Sequence, residues 1–537
     1  MTMVSGTSPV DYETAHRGAS TQARELQSWL PGIQSADAEL IDELPGLIAR
    51  SRDLSRNHGV AAGAIQTLVD NIVGTGFVLN ARPDWRALGK SKEWAGEFAI
   101  EIESKWKTWA ESFEYSADRK LNFHGQTQLV CRTQFISGEA VAVPLFLEGR
   151  GTKYATAIQL IDPDRLSTPI GERDSATMRA GIEINQYGEP VRYHIRKAHP
   201  REVGDGFTGS YNREDWEAIP ARTPWGRPSV LHIHDMGRTG QNRGKPGLTS
   251  VMPIFRMMDK YEGAEVQAAV VNALVAGVVE SGLPMEQIMG YFGEDMNEYM
   301  TAKKEYGSRV QLRSGTIIPL FPGDKFNSFT PSRPNANFGP FVEHIQRHIG
   351  TSIGLPLELL MKDFSKTNYS SARAALLEAW RYFSCRRDTL ITYWCDPVYV
   401  LWFEEAVARG EIKAPGFFEN QYAWTQCEWI PDGRGWIDPL KEAQASKAKR
   451  DAGISTLARE CAEQGQDWRA VIEQQVEEEL FTRNVRKAAG LDEVPIDPAE
   501  KAKLELQQKQ IDSQVQEREQ KREDAEAAGE KPDEEEE

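Results

Sequence analysis

The residues best placed to do chemistry are few, and each has an ordinary alternative. Asp162 and Asp164, in IDPDRL, form a carboxylate pair of the kind that holds catalytic metal ions. An Asp beside a Pro after a β-prone run is also what turn chemistry favours, and we read the pair that way. His232 and His234, in LHIHD, fall on one face of a predicted strand with Asp235 next to them. Two imidazoles at i and i+2 bind a metal only if a third ligand arrives, and no neighbouring residue in sequence supplies it. GDGFTG, Gly204 to Gly209, matches a dinucleotide fingerprint in letters alone, because no strand precedes it and no helix opens within it. GQNRGKPG, Gly240 to Gly247, is one residue short of a phosphate loop and has Pro246 where a hydroxyl should hold magnesium. No serine sits in a G-x-S-x-G elbow, and no cysteine has a nucleophile's context. No cofactor and no metal is expected.

The remaining unusual stretch is FSKTNYSSARAALLEAWRYFSCRR, Phe364 to Arg387. Polar loop residues run straight into an amphipathic helix, for which Ser370 or Ser371 is the expected N-cap. Leu376, Leu377, Trp380 and Phe383 repeat at helical spacing and are expected to bury one face. A loop so placed asks to touch something.

At 537 residues the chain has room for three or four domain-sized units. Its 40% hydrophobic and 27% charged content is that of a globular protein. The longest nearly apolar run, Ala268 to Val279, is too short to cross a bilayer, and no signal peptide is expected from the first residues. The 5 cysteines never pair as C-x-x-C, which points to reduced thiols. Net charge is −17, part of it in EDAEAAGEKPDEEEE at the C-terminus. Tight DNA binding needs clustered Lys and Arg to displace counterions, and no such run is present. A surface past which DNA slides is still permitted.

The elements that must position the loop follow in order. Residues 1–35 read as a polar arm, and helices follow from Ala36. One of these places Ile65, Leu68, Val69 and Ile72 on one face and is ended by Gly74 and Gly76. Another carries Trp94, Phe98, Ile102, Trp106 and Trp109 as a core stripe. EAVAVPLFLE, TAIQLIDPDRL and a hairpin around Gly188 supply strands, which makes an α+β region to about residue 235. A long helix then starts with a cap at Thr249 or Ser250 and Pro253 in its first turn. Ala264, Ala268, Ala269 and Ala273 leave small side chains along it, so that another helix can approach closely. A compact insertion, roughly 278–330, with a helix and two short strands, separates it from a second helix bearing Phe338, Phe341, Ile345 and Ile349. The rest reads as helical, with a Trp-rich turn in CEWIPDGRGW and a charged tail from about Arg483.

Taken together, several of these stretches resemble the portal proteins of tailed bacteriophages, in the lambda-type branch. The likeness covers roughly residues 25–480. It rests on RDLSRNHGVAAGAIQTLVDNIVG and RPDW, then MRAGIEIN, RGKPGLTSVMPIFRMMDKY and IIPLFPGDKFN. It continues through GTSIGLPLELLMKDFSKTNYSSARAALLEAWRYFSCRR, CEWIPDGRGWIDPLKEAQA and AGISTLARECAEQGQDW. The resemblance implies a mainly helical α+β protein that forms a ring, usually a dodecamer, at one capsid vertex. It also implies a wing, paired stem helices, a clip at the tip of the stem and a helical crown. On that scheme 1–35 is the N-terminal arm, 36–248 the wing, 249–277 a stem helix, 278–336 the clip and 337–361 the second stem region. Residues 362–369 become the tunnel loop, 370–412 the tunnel helix and a following wing helix, 413–482 the crown and 483–537 the tail. Lys362, Asp363, Phe364, Ser365, Lys366, Thr367, Asn368 and Tyr369 would face DNA, and Ala264, Ala268, Ala269 and Ala273 would pack against neighbouring subunits. The implied partners are further copies of the chain, the terminase large subunit, the major capsid protein, a head-completion or adaptor protein, and double-stranded DNA passing without sequence preference. No membrane partner is implied. The implied setting is the virion, with assembly in the host cytoplasm. The competing expectation is a metal-dependent DNA-processing enzyme built on Asp162/Asp164 or His232/His234.

Overall fold

Helix starts where the sequence supplies a cap and a periodic apolar face together. In the computed structural model, which describes residues 17–20, 23–199, 215–274, 278–281, 301, 324–327, 338–433, 435 and 438–489, this first happens at Ser35. Its Oγ accepts the Ala38 N–H and opens α1 (Ala36–Leu40). Helix α2 (Leu44–Asn57) follows, and α3 (Gly59–Ile72) buries Ile65, Leu68, Val69 and Ile72 as the spacing predicts. The chain leaves α3 through Gly74 at φ +60°, where a Cβ would strike Asp432. That carboxylate accepts both the N–H and the hydroxyl of Thr75, at 2.5 and 2.6 Å.

Strand β1 (Phe77–Ala81) leads to α4 (Lys92–Ala110), capped by Ser91. Its Phe98, Ile102, Trp106 and Trp109 are buried, and Trp94 is half-buried against them. The Trp106 ring meets Phe123, Tyr399, Trp402 and Trp429 edge-on, with centroids 5.2–5.7 Å apart, so one residue gathers three distant parts of the chain. Helix α5 (Phe123–Ser137) ends at Gly138 in the left-handed conformation.

Strands β2 (Glu139–Phe146), β3 (Thr156–Ile161), β4 (Met178–Arg179), β5 (Ile182–Ile184), β6 (Pro190–Arg196), β7 (Trp216–Pro220) and β8 (Leu231–His234) form two antiparallel sheets. Their orders are β3-β2-β8 and β4-β5-β6-β7. The expected hairpin is β5–β6, with Ile182 opposite Tyr193 and Gly188 at φ +81° in its turn. Val141, Ile161, Leu166, Ile182, Tyr193 and Ile195 fill a core shared by the two sheets.

Helix α6 (Met252–Leu274) is entered through a 3-10 turn, Thr249–Val251. Thr249 donates its hydroxyl to the Pro246 carbonyl, so the expected capping residues sit inside that turn and cap nothing. Strands β9 (Val278–Ser281) and β10 (Asp324–Asn327) pair antiparallel across the base of the insertion. The helix expected there lies outside the described residues, apart from Thr301. Helix α7 (Phe338–Ile353) returns alongside α6, with Tyr261 against Phe338 and Phe341 at 5.5 and 5.2 Å. Helix α8 (Leu357–Met361) and the exposed loop precede α9 (Tyr369–Leu390).

Helix α9 runs without a break through a π-turn, Ile391–Cys395, into α10 (Asp396–Ala408). Pro397 has no N–H to give an α-helical partner, and the wider turn just before it absorbs the mismatch. Helix α11 (Gln421–Trp424) and strand β11 (Cys427–Pro431) follow, and β11 pairs with β1, Phe77 opposite Pro431. The Trp-rich stretch expected to be a turn is therefore partly strand. The described residues fall into two units that divide at Asp438, with Glu463–Gly465 in the first. Residues 413–437 thus belong with the first unit, where the sequence grouped them with the helices to 482. The second unit holds α12 (Pro439–Asp451), most of α13 (Leu457–Glu463) and α14 (Trp468–Ala488). No helix among the described residues is long and apolar enough to cross a membrane.

Candidate functional site

The loop between α8 and α9 is a sequence of turns. Lys362 ends α8 in the left-handed region at φ +55°, and its N–H is donated to the Glu358 carbonyl. Asp363 accepts the Ser365 N–H at 2.9 Å, and this bonding to Ser365 lowers the carboxyl pKa. Asn368 accepts the Ser371 N–H at 2.9 Å and is the N-cap of α9, in place of the expected Ser370 or Ser371. Tyr369 is the first helical residue, and its side chain lies outside those described.

Two acids tether the base of the loop. Lys366 Nζ lies 3.0 Å from Glu343 of α7, and Thr367 donates to Glu358 of α8 at 3.3 Å. The bond from Lys366 is the largest influence on Glu343, whose pKa it lowers. Lys362 has no such acid partner among the described residues, and its ammonium stands in solvent with Asp363, Phe364, Ser365 and Asn368. Neither tether could be read from sequence, since Glu343 is 23 residues from Lys366. Behind the loop, Phe383 is buried but Leu377 is 46% exposed. Neighbouring helical residues point about 100° apart, so Leu376 and Leu377 cannot both centre one face. Ala379, Phe383 and Leu390 carry the buried line instead.

On α6, Ala264 and Ala269 are exposed and Ala268 is half-buried; the side chain of Ala273 lies outside those described. Met257, Val266 and Val270 are exposed on the same helix. One side of α6 rests on α7, and another leaves apolar atoms in water. Replacing Ala269 by Trp is therefore expected to leave the melting transition of an isolated copy unchanged while lowering the yield of any assembly that uses this face. Sedimentation beside a thermal melt separates the two, and equal loss of both would make the residue ordinary core.

The metal candidates sit elsewhere, and all but His234 already hold polar partners. Arg52 bonds Asp164 at 2.7 Å and Asp162 at 2.8 Å, while Asp162 also caps the short turn Pro163–Arg165. His199 joins them, so three ligand atoms lie within 4.8 Å of one another, but the guanidinium already binds both carboxylates. His232 and His234 stack at 4.3 Å on β8. Burial pushes His234 down to about 3, which keeps it neutral.

His232 bonds the buried Glu139 at 3.0 Å, a partner that lies 93 positions away. Glu139 in turn accepts from Arg243 Nε and from the Gly244 N–H, both at 2.9 Å. Arg243 also donates to the carbonyls of Leu166 and Ala180. The stretch that resembled a phosphate loop is thus a structural clamp, and Gly244 is needed because a Cβ there would lie 2.1 Å from the Gly138 carbonyl oxygen. GDGFTG lies outside the described residues.

Comparison with known proteins finds a match between residues 22–387 and the family described as phage portal protein, lambda family. Portal protein B of Escherichia phage lambda is 33% identical over 502 residues, covering 90% of this chain and 92% of that one. The portal protein of Escherichia phage N15 is 32% identical over the same shares. A probable portal protein of Halomonas phage phiHAP-1 is 24% identical over 81% of this chain and 80% of its own. Among solved structures, the neck of an empty GTA particle with C6 symmetry aligns at 13% identity and a TM-score of 0.42, covering 78% of this chain and 93% of the other. That likeness is too distant to bear on the assembly.

Proposed function

This chain belongs to the lambda family of phage portal proteins, and from that premise we propose that its copies close into a ring, of twelve subunits by the family pattern, around a channel for double-stranded DNA at one capsid vertex. The observation that carries the reading is the paired helices α6 and α7, whose outer surface is bare within one copy, together with the exposed loop that follows them. Helix α14 supports it independently. Its Ile472, Val476, Leu480, Phe481 and Val485 are all exposed, and it buries no residue within its own unit. A soluble monomer rarely leaves so much contiguous apolar surface open, and association between copies covers it.

On this reading 36–248 and α10 form the wing, α9 the tunnel helix, and α6 and α7 the stem. Residues 278–336 form the clip, and Lys362–Tyr369 the lining of the narrowest part of the channel. The chain works as a conduit and docking platform. The terminase large subunit supplies the energy of packaging, the major capsid protein surrounds the ring, and a head-completion protein later seals it. The metal-enzyme alternative needs the carboxylates of Asp162 and Asp164, which here hold Arg52, and the His232 imidazole, which holds Glu139. Negative-stain imaging and native mass measurement of the purified chain test the proposal. An annulus of about twelve copies is expected, without nuclease or ATPase turnover. A strictly monomeric protein with metal-dependent nuclease activity would overturn it.

A further inference from the structure

Helix α14 carries apolar residues on two sides at once, which a helix resting on a single surface does not need. Ile472, Val476 and Leu480 follow at steps of four, and at about 100° per residue they share an arc of about 80°. Phe481 and Val485 make a second line, centred about 160° round the helix from the first. All five are exposed, from 37% at Ile472 to 71% at Phe481, and the helix buries no residue in its own unit. Glu473 and Asn484 separate the lines on one side of the helix, and Gln475 and Thr482 on the other; all four are exposed.

Charge distinguishes the two lines. Arg469 and Lys487 stand on the side of the first, and so does Arg483, which pairs with Glu479 at 3.2 Å. Glu477 and Glu478 flank the second, where the helix has no Lys or Arg. Glu478 accepts from Gln474 at 3.0 Å, and neither acid is paired with a cation among the described residues. One line is thus edged mainly by cations and the other by acids alone. The first line of one helix suits the second line of another copy, and neither suits its own like.

We infer that α14 of each copy lies between the α14 helices of two neighbours, first line against second line, so that these helices close into a collar. The inference rests on the ring proposed above. A single partner would need one apolar line; two lines on nearly opposite sides are what a helix in a row of identical helices requires. Contact between unlike faces of the same chain is also the head-to-tail kind from which closed rings are built. The two polar strips then stay in water, one inside the collar and one outside. Burial of the apolar lines supplies the strength of the contact. The exposed charges add little strength, but they decide which face meets which.

The test uses the full chain. Hydrogen–deuterium exchange is measured on the assembled particle, after its mass is recorded, and on copies dissociated from it. The amides of α14 are expected to exchange several-fold more slowly in the particle. A ring by mass whose α14 exchanges as fast as in free copies overturns the collar and leaves the ring standing. A chain that gives no ring by mass overturns the ring and the collar with it. Charge reversal then reads the pairing of the faces. Arg483→Glu with Lys487→Glu, and separately Glu477→Lys with Glu478→Lys, are each expected to lower ring yield several-fold at low salt while the single copy keeps its melting temperature. The chain with all four changes is expected to regain the yield, because every contact then has both its charges exchanged. A yield unchanged in either pair, or still lost in the combined chain, overturns the meeting of unlike lines.

Discussion

Glu139→Gln is expected to destabilise the first unit by about 3–5 kcal/mol, the usual cost of stranding one member of a buried ion pair. Burial by itself would raise the Glu139 pKa, but the Arg243 guanidinium and the bond from His232 outweigh it and hold the carboxyl well below its ordinary range. A depressed carboxyl stabilises the fold at every pH above its unfolded value of about 4.3 and stops doing so only as pH falls through the folded value. The clamp therefore works throughout the neutral and mildly acid range and fails only in strong acid. Gln keeps the shape and removes the charge, leaving a buried guanidinium with carbonyls alone for company. Arg243→Met should cost a similar amount by stranding the carboxylate. The double variant should recover much of the loss, because replacing both members of a buried pair by neutral groups is often nearly free.

Denaturant unfolding of the four proteins gives the coupling. Additive losses would show that Glu139 and Arg243 act separately. The consequence reaches assembly, since Arg243 ties β2 and the carbonyls of Leu166 and Ala180 to the loop from which α6 starts. A loosened root should blur the position of the helix pair, so ring yield is expected to fall in the single variants and to return in the double.

What was legible in the sequence was local. Ile65, Leu68, Val69 and Ile72 declare a buried helical face through their spacing alone, and Ile182 and Tyr193 declare a hairpin through alternation around Gly188. What was illegible depends on residues far apart in the chain. Glu139 and Arg243 are separated by 104 positions, and each alone reads as an ordinary surface charge. β1 and β11 are five-residue strands some 350 positions apart, too short to be recognised singly. The cap of α9 was missed for a different reason. Asn368, Ser370 and Ser371 all suit an N-cap, and only the backbone decides among them. The candidate loop was found through its polarity and its place before a helix. Its tethers were not found, because the choice of Glu343 and Glu358 as partners depends on how α7 and α8 return to the loop.

The lysines of that loop make the other large prediction. In a ring, every copy repeats Lys362 and Lys366, so a modest attraction per subunit becomes a continuous basic collar whose effect on polyanionic DNA scales with the copy number. Lys362 has no acid partner among the described residues. Lys366 has Glu343, but the pair is solvent-exposed on the lysine side, and such surface pairs hold only weakly. Phosphate can therefore draw Lys366 away from Glu343 and release it again. Lys362→Asn suits the left-handed backbone at φ +55°, and Lys366→Gln keeps the length of the chain, so together they remove charge without strain. The expected result is intact rings with several-fold less packaged DNA and poorer retention at moderate salt. Glu343→Gln should do the reverse, freeing Lys366 and slowing passage by holding phosphate longer. Packaging and retention unchanged in both variants would mean that the loop merely connects two helices.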